Sequence, residues 1–234
     1  MVNNASDMLK GVDLFSSLTD EQIEKMGSLA IENHYKRDQS IILEDDSVNQ
    51  ALFLIAEGEV KVYMSGTDGR ETILSLLGPG DFFGEMSLLD GDPRSASVKS
   101  VSNAIILVIR RDDFISLLFK YPDLSMSLLE EMSRRLRKAN RQIGSLSTLT
   151  VYGRIAGTLL NLAEERGKRI HGESGKFVTL IENRPTQQHL AEMSGTTRET
   201  VSRVLNALKK KGVIGVNGKD LIILEEDNLK QGDA

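Results

Sequence analysis

Leu18, Ile23, Met26 and Leu29 recur at near-helical spacing behind Thr19, with Gln22 three residues on, which predicts a short capped helix within Leu18 to Ile31. From Ser40 the period shortens. Ile41 to Leu43, Ala51 to Ala56, Val60 to Met64, Thr72 to Leu77, Ala96 to Val101 and Ala104 to Ile109 are short apolar or alternating runs. Between them stand Glu57-Gly58, Gly66 to Gly69, Gly78-Pro79-Gly80 and Gly91-Asp92-Pro93, turn signals because Gly reaches φ > 0 and Pro fixes φ. Strands at this spacing predict a sandwich or a double-sheet jelly roll.

After Tyr121-Pro122 the pattern changes again. Leu129, Met132, Leu136, Ala139, Ile143 and Leu146 follow at alternating steps of three and four, a heptad seam on which two chains pair. Its flanks carry Arg134, Arg135, Arg137, Lys138 and Arg141, charges that a helix buried in a monomer core would have to accommodate at high cost. From Tyr152 a helix carries Ile155, Ala156, Leu159, Leu160, Leu162 and Ala163, and two further helical segments flank Ser194-Gly195-Thr196. Val213 to Val216, Asn217-Gly218 and Leu221 to Leu224 then read as a terminal hairpin. The expected class is α+β, with an N-terminal jelly-roll β-barrel at 1–121, a long dimerisation helix at 122–150 and a C-terminal winged helix-turn-helix at 151–234.

Length and a 40% hydrophobic content suit two small domains. No run approaches the roughly 18 apolar residues of a membrane span, and Met1 to Lys10 lacks the layout of a signal peptide, so a cytoplasmic location without membrane contact is expected. The absence of Cys excludes disulfides and Cys-ligated zinc or iron–sulfur centres. A net charge of −5 argues against a polyanionic partner, yet its distribution reverses that. From Arg134 to Lys219 there are 17 Lys and Arg against 6 Asp and Glu, a net +11 that leaves −16 on the rest. A basic half joined to an acidic half fits a protein that brings one end to nucleic acid.

Within that basic half, Thr196-Thr197-Arg198-Glu199 fits a capping box, with Thr196 as N-cap and Glu199 at the third helical position. Val201, Val204, Leu205 and Leu208 form the apolar face, leaving Arg198, Glu199, Ser202 and Arg203 outward near the N-terminal end, where a recognition helix meets base edges. Arg reads guanine bidentately and a carboxylate accepts from cytosine, so a G·C-containing half-site is expected. Thr186, Gln188, Thr197 and Lys209-Lys210-Lys211 are candidates for the remaining DNA contacts, mainly to phosphate.

A second motif lies in the strand-rich half. Phe83-Gly84-Glu85-Met86 leaves a Pro-Gly turn, and Pro93-Arg94-Ser95-Ala96 follows another. A helical turn opened by Gly84 offers backbone N–H groups to an anion, Arg94 a donor fork to phosphate, Ser95 a hydroxyl, and Glu85 an acceptor for a sugar hydroxyl. A turn with a surface ion pair has the same residues.

Phe82 to Ala96 resembles the phosphate-binding cassette of cyclic-nucleotide-binding domains, and Gly195 to Arg203 resembles the recognition-helix entry of the cyclic-AMP receptor (CRP/FNR) family of transcription regulators. Gly153-Arg154-Ile155-Ala156 with Leu159 to Ala163 is similar to that family's entry into its DNA-binding domain. The resemblance implies a homodimer whose ligand reorganises the long helix and sets two recognition helices about one DNA turn apart. It implies that Gly84, Glu85, Arg94 and Ser95 hold ribose and cyclic phosphate, that Phe83, Met86 and Ala96 add contacts, and that Val62 and Ser75 line the pocket. It implies a palindromic duplex with TGTGA-like half-sites read by Arg198, Glu199 and Arg203. The sequence departs from the family at Ala139 and Asn140, where the cyclic-AMP receptor has Thr and Ser reaching adenine; Asn140 is left to read the base. Cyclic AMP is the expected effector, with cyclic GMP, cyclic di-GMP or no obligatory ligand as alternatives. Glu164 to Ser174, with Arg166, Lys168 and Arg169, is where the family's activators touch RNA polymerase, or a solvated turn.

A cyclic-nucleotide-binding regulatory subunit of an enzyme or channel is the alternative of another class. Catalysis and a metal site are not expected: no P-loop or nucleophile elbow occurs, and His34, His171 and His189 lie in unrelated segments.

Overall fold

The computed structural model describes residues 5–48, 50–172 and 176–230. The chain forms two compact units, Met1–Arg137 and Lys138–Ala234.

The first unit opens with α1 (Ala5–Leu9), a 3-10 turn at Asp13–Phe15 and α2 (Asp20–Gly27). The expected capping box is formed: Thr19 Oγ1 accepts from Gln22 N, and Thr19 N donates to Gln22 Oε1 at 2.8 Å. The helix ends at Gly27, short of Ile31, which instead begins a strand. Eight strands follow: β1 (Ile31–Tyr35), β2 (Ser40–Ile42), β3 (Ala51–Glu57), β4 (Val60–Ser65), β5 (Glu71–Leu77), β6 (Phe82–Phe83), β7 (Ser97–Ser100) and β8 (Ala104–Arg110). They form two antiparallel four-stranded sheets, β1-β8-β3-β6 and β2-β7-β4-β5, the double-sheet architecture that the turn spacing predicts. Two strands were invisible to periodicity. β1 reads Ile-Glu-Asn-His-Tyr with no buried residue and is held by its backbone pairing to β8, and β6 is two residues long.

The unbroken apolar run of β3 has a physical reason, since successive side chains leave opposite faces of a strand. Phe53 and Ile55 join Ile42, Val60, Phe83, Val98 and Ile106 between the sheets. Leu52 and Leu54 join Leu107, Ile109, Ile23, Met26, Phe114, Leu117, Leu124 and Leu128 in a second core under the helices. Two of those helices are α4 (Arg111–Lys120) and the 27-residue α5 (Pro122–Thr148); between β6 and β7 lies α3 (Glu85–Asp90). The boundary between the units falls inside α5.

On α5 the seam is only partly outward. Leu129, Leu136, Ile143 and Leu146 are 59–64% exposed, whereas Met132 packs partly against the core of the first unit.

The second unit contains α6 (Val151–Arg166), β9 (Lys168–His171), β10 (Phe177–Ile181), α7 (Gln187–Ser194), α8 (Arg198–Lys210), β11 (Ile214–Asn217), β12 (Asp220–Ile223) and α9 (Glu226–Lys230). Its sheet has the order β11-β12-β10-β9, so the wing is larger than the single terminal hairpin expected. Val178, Thr179 and Ile181 of β10 are buried, Ile181 in the core of this unit, and β9 pairs with β10 from Lys168↔Leu180 to His171↔Phe177. The stretch expected as a loop from Glu164 is thus a helix end and a strand; residues 173–175 lie outside the described residues. The hairpin turn is Gly218-Lys219, one step later than expected, because Asn217 pairs with Asp220 and Gly218 takes the positive φ of 59°.

Candidate functional site

In the first unit the site is built where β6 leaves its sheet. Phe83 pairs with Phe53 across β6 and β3, and their rings stack at 5.1 Å. The next residue, Gly84, has φ +85°, and a Cβ there would stand 2.8 Å from the Ala51 carbonyl oxygen and 2.9 Å from Arg94 Nη1. Both conformation and space therefore require glycine. α3 starts at once, with Glu85 only 4% exposed.

Arg94 returns to the same place after the second turn. It is 4% exposed, donates from Nη1 to the Gly84 carbonyl at 2.9 Å and from Nη2 to that of Ala51 at 3.4 Å, and lies 5.5 Å above the Phe53 ring. Burial pulls its pKa below the ordinary guanidinium value, opposed by Asp46 and then Glu85. Ser87 Oγ, on α3, is buried with no hydrogen-bond partner among the described residues. Ser95 is exposed, with Oγ 3.6 Å from Met86 Sδ, and Ala96 leads into β7. Register sets Val62 opposite Ser75 on β5 and Val98 on β7, beside a bulge at Val62/Tyr63, so the two pocket-lining candidates are direct cross-strand partners. Phe83, 3% exposed, belongs to the floor under Arg94.

Arg135 is the residue that sequence reasoning missed. It flanks the seam in sequence, yet its Nη1 donates to Glu85 Oε1 at 3.1 Å, Nη2 to the Phe82 carbonyl at 2.7 Å and Nε to Glu131 Oε1 at 2.9 Å. Its guanidinium lies 4.5 Å from the Phe82 ring centroid. The i,i+4 spacing to Glu131 was the sole signal in the sequence. Asn140 and Ala139 are exposed on α5, within the second unit.

In the second unit α7, the Gly195 turn and α8 form the expected helix-turn-helix, with Gly195 left-handed at φ 60°. Thr186 caps α7, its Oγ1 accepting from His189 N at 3.1 Å, and exposed Gln188 donates to Glu192 at 2.7 Å. The cap of α8 corrects the reading of the sequence: it is Thr197, accepting from Thr200 N at 3.3 Å, while Thr196 N bonds the Ala191 carbonyl and still belongs to the turn. Glu199 is therefore the second helical residue, and no Glu-based capping box forms. Its carboxyl is held below the usual range by its own backbone N–H and then by the Thr197 hydroxyl. Val201, Leu205 and Leu208 are buried, so Arg198, Glu199 and Arg203 are exposed and Ser202 half-buried on the opposite side.

Residues 32–121 match the cyclic nucleotide-binding domain family, and residues 153–231 match the Crp-like helix-turn-helix domain. The chain is 35% identical over 223 residues to a Cyclic AMP receptor protein of Thermus thermophilus, spanning 93% of this chain and 97% of that one. It is 34% identical over 178 residues to a CRP-like cAMP-activated global transcriptional regulator of Mycobacterium tuberculosis, spanning 76% and 77%. FixK2 of Bradyrhizobium japonicum shares the fold with a TM-score of 0.74 at 23% identity, over 88% of this chain and 98% of that one. With both domain families matched in order and this identity running along nearly its whole length, the chain belongs to the CRP/FNR family, as a cyclic-nucleotide-binding, DNA-binding transcription regulator.

Proposed function

We propose that this regulator is a cytoplasmic homodimer that binds cyclic AMP in its first unit and reads a palindromic duplex with TGTGA-like half-sites through α8. In this reading 1–121 is the ligand domain, 122–150 the dimerisation helix and 151–234 the DNA-binding domain, with no catalysis and no metal. The observation that carries it is that Glu85, at the start of α3, and Arg94, beyond the turn that follows α3, are both 4% exposed and meet at Gly84, whose carbonyl accepts from Arg94 Nη1. A buried carboxylate and a buried guanidinium so close in sequence suit a ligand with both sugar hydroxyls and phosphate.

The cradle fits such a ligand. Arg94 bonds neutral carbonyls of Gly84 and Ala51, which a phosphate outcompetes as a charged acceptor, and Ser87 Oγ, without a partner among the described residues, lies nearby in the chain on α3. Gly84, Met86, Ser95 and Ala96 complete the phosphate and ribose end, with Phe83 beneath and Val62 and Ser75 at the side. Asn140 reads the base. The relatives named for cyclic AMP favour that nucleotide over cyclic GMP or cyclic di-GMP. Arg198, Glu199, Ser202 and Arg203 face the bases, and Thr186, Gln188 and Thr197 the phosphates. Pairing of two chains along Leu129, Leu136, Ile143 and Leu146 covers their exposed apolar surface. Contact with RNA polymerase falls within 164–174, the stretch that carries Arg166, Lys168 and Arg169.

The test is calorimetric titration of nucleotide-stripped protein with cyclic AMP, cyclic GMP and cyclic di-GMP, repeated with Asn140→Ala. Tightest binding of cyclic AMP, weakened by the variant, is expected. Preference for another nucleotide reassigns the signal, and silence from all three removes the ligand reading.

A further inference from the structure

We infer that Arg154 is a positioning residue for DNA recognition: it ties the α7–α8 turn, and so the first residues of α8, to the joint between α5 and α6. The inference rests on α8 being the DNA-reading helix.

Arg154 lies in the first turn of α6 and reaches two distant places at once. Its Nε donates to the Ser194 carbonyl at 2.9 Å and Nη2 to that of Gly195 at 3.1 Å, while Nη1 reaches the Leu149 carbonyl in the joint at 3.4 Å. The last carbonyls of a helix lack N–H partners and carry the negative end of its dipole, so a cation at the end of α7 meets a real need. The N–H groups of Gly195 and Thr196 both turn back to the Ala191 carbonyl, which leaves the carbonyls of residues 194 and 195 to Arg154. A planar fork fixes two acceptors relative to each other, as a single ammonium does not.

A second tie lies beneath the first. Thr158 Oγ1 and Ser194 Oγ are 2.9 Å apart, 8% and 2% exposed, and Thr158 Oγ1 also donates to the Arg154 carbonyl at 2.9 Å. The end of α5 comes close as well, for a Cβ on Gly195 would lie 3.4 Å from Leu146 Cδ2. From Gly195 it is two residues to the Thr197 cap and three to Arg198. A shift of the turn passes directly to the side chains that face the bases, and specific contacts tolerate little misplacement while phosphate contacts tolerate more.

The experiment compares wild type, Arg154→Gln and Arg154→Lys. Fluorescence anisotropy is measured with saturating cyclic AMP, on a palindromic duplex carrying two TGTGA half-sites and on a random duplex across a salt series, and amide hydrogen exchange is followed on the DNA-free protein under the same conditions. For Arg154→Gln we expect specific affinity to fall roughly tenfold or more, random affinity to stay within about twofold, and the salt slope to be unchanged. Exchange should quicken at amides 195–200 but not along α6, and Arg154→Lys should recover part of both effects. Equal losses on both duplexes with a salt slope shallower by about 1 would make Arg154 a phosphate ligand and overturn the proposal. Unchanged exchange at the turn, or faster exchange throughout the second unit, overturns it too. If wild type does not discriminate the two duplexes, the half-site reading fails and the exchange measurement alone decides on Arg154. Should Arg154→Gln not fold, Arg154→Lys carries the same comparisons.

Discussion

Glu85, on the turn that follows β6, accepts a hydrogen bond from Arg135 of α5 at 3.1 Å, so the carboxylate assigned to the ligand is already neutralised by the long helix. Arg135→Ala leaves that buried carboxylate without its cation. The loss should be about 2–3 kcal/mol, less than the roughly 3–5 kcal/mol of a fully buried pair because Arg135 retains 30% exposure. Urea unfolding of Arg135→Ala, Glu85→Gln and the double variant checks it: the double variant should recover part of the loss, and strictly additive effects would deny the coupling.

Arg94→Ala should weaken cyclic-nucleotide binding by roughly a hundredfold while the far-ultraviolet circular dichroism stays native, because a charged donor to phosphate is removed. Arg94→Lys keeps the charge without the fork and should fall between the two. Calorimetry supplies the affinities, and an unchanged value in Arg94→Ala would remove Arg94 from the pocket.

Arg198→Ala should lose about 1–3 kcal/mol of discrimination between specific and random duplexes. Competition binding at one fixed salt concentration measures the ratio. Equal weakening of both would identify Arg198 as a phosphate contact.

Leu136 is 63% exposed and Ile143 64%, so a charge at either disturbs little within one chain but is buried when two seams meet. Sedimentation of Ile143→Asp should show a monomer where wild type sediments as a dimer. A dimeric variant would place the interface elsewhere.

Glu199 ionises below its ordinary value of 4.5 in the folded chain. Its contribution to stability is thus fully present above that value and is lost as pH falls through the lower folded-state pKa. NMR titration of its carboxyl carbon should show a midpoint under 4.5, shifted upward in Thr197→Ala, whose hydroxyl no longer supports the charge.

Local pattern and chemistry carried much of this protein. The period of Val201, Leu205 and Leu208 determined which face of α8 is buried, and so that Arg198, Glu199 and Arg203 are exposed. Gly84 and Arg94 were recognisable because the conformation of one and the charge of the other are properties of the residues themselves. The cap of α8 was misplaced by one residue because Thr196 and Thr197 are equally good caps, and only the bond from Thr196 N to Ala191 in α7 decides between them. Tertiary structure alone decided the rest. β6 is too short to show a period, yet its two consecutive side chains face opposite ways, Phe83 toward Arg94 through Phe53 and Phe82 toward Arg135. Arg135 meets Glu85 across fifty residues, and Arg154 meets Ser194 across forty. No local rule specifies such contacts, because they exist only after sheets and helices have packed and brought distant polar groups into a place where each must find a partner.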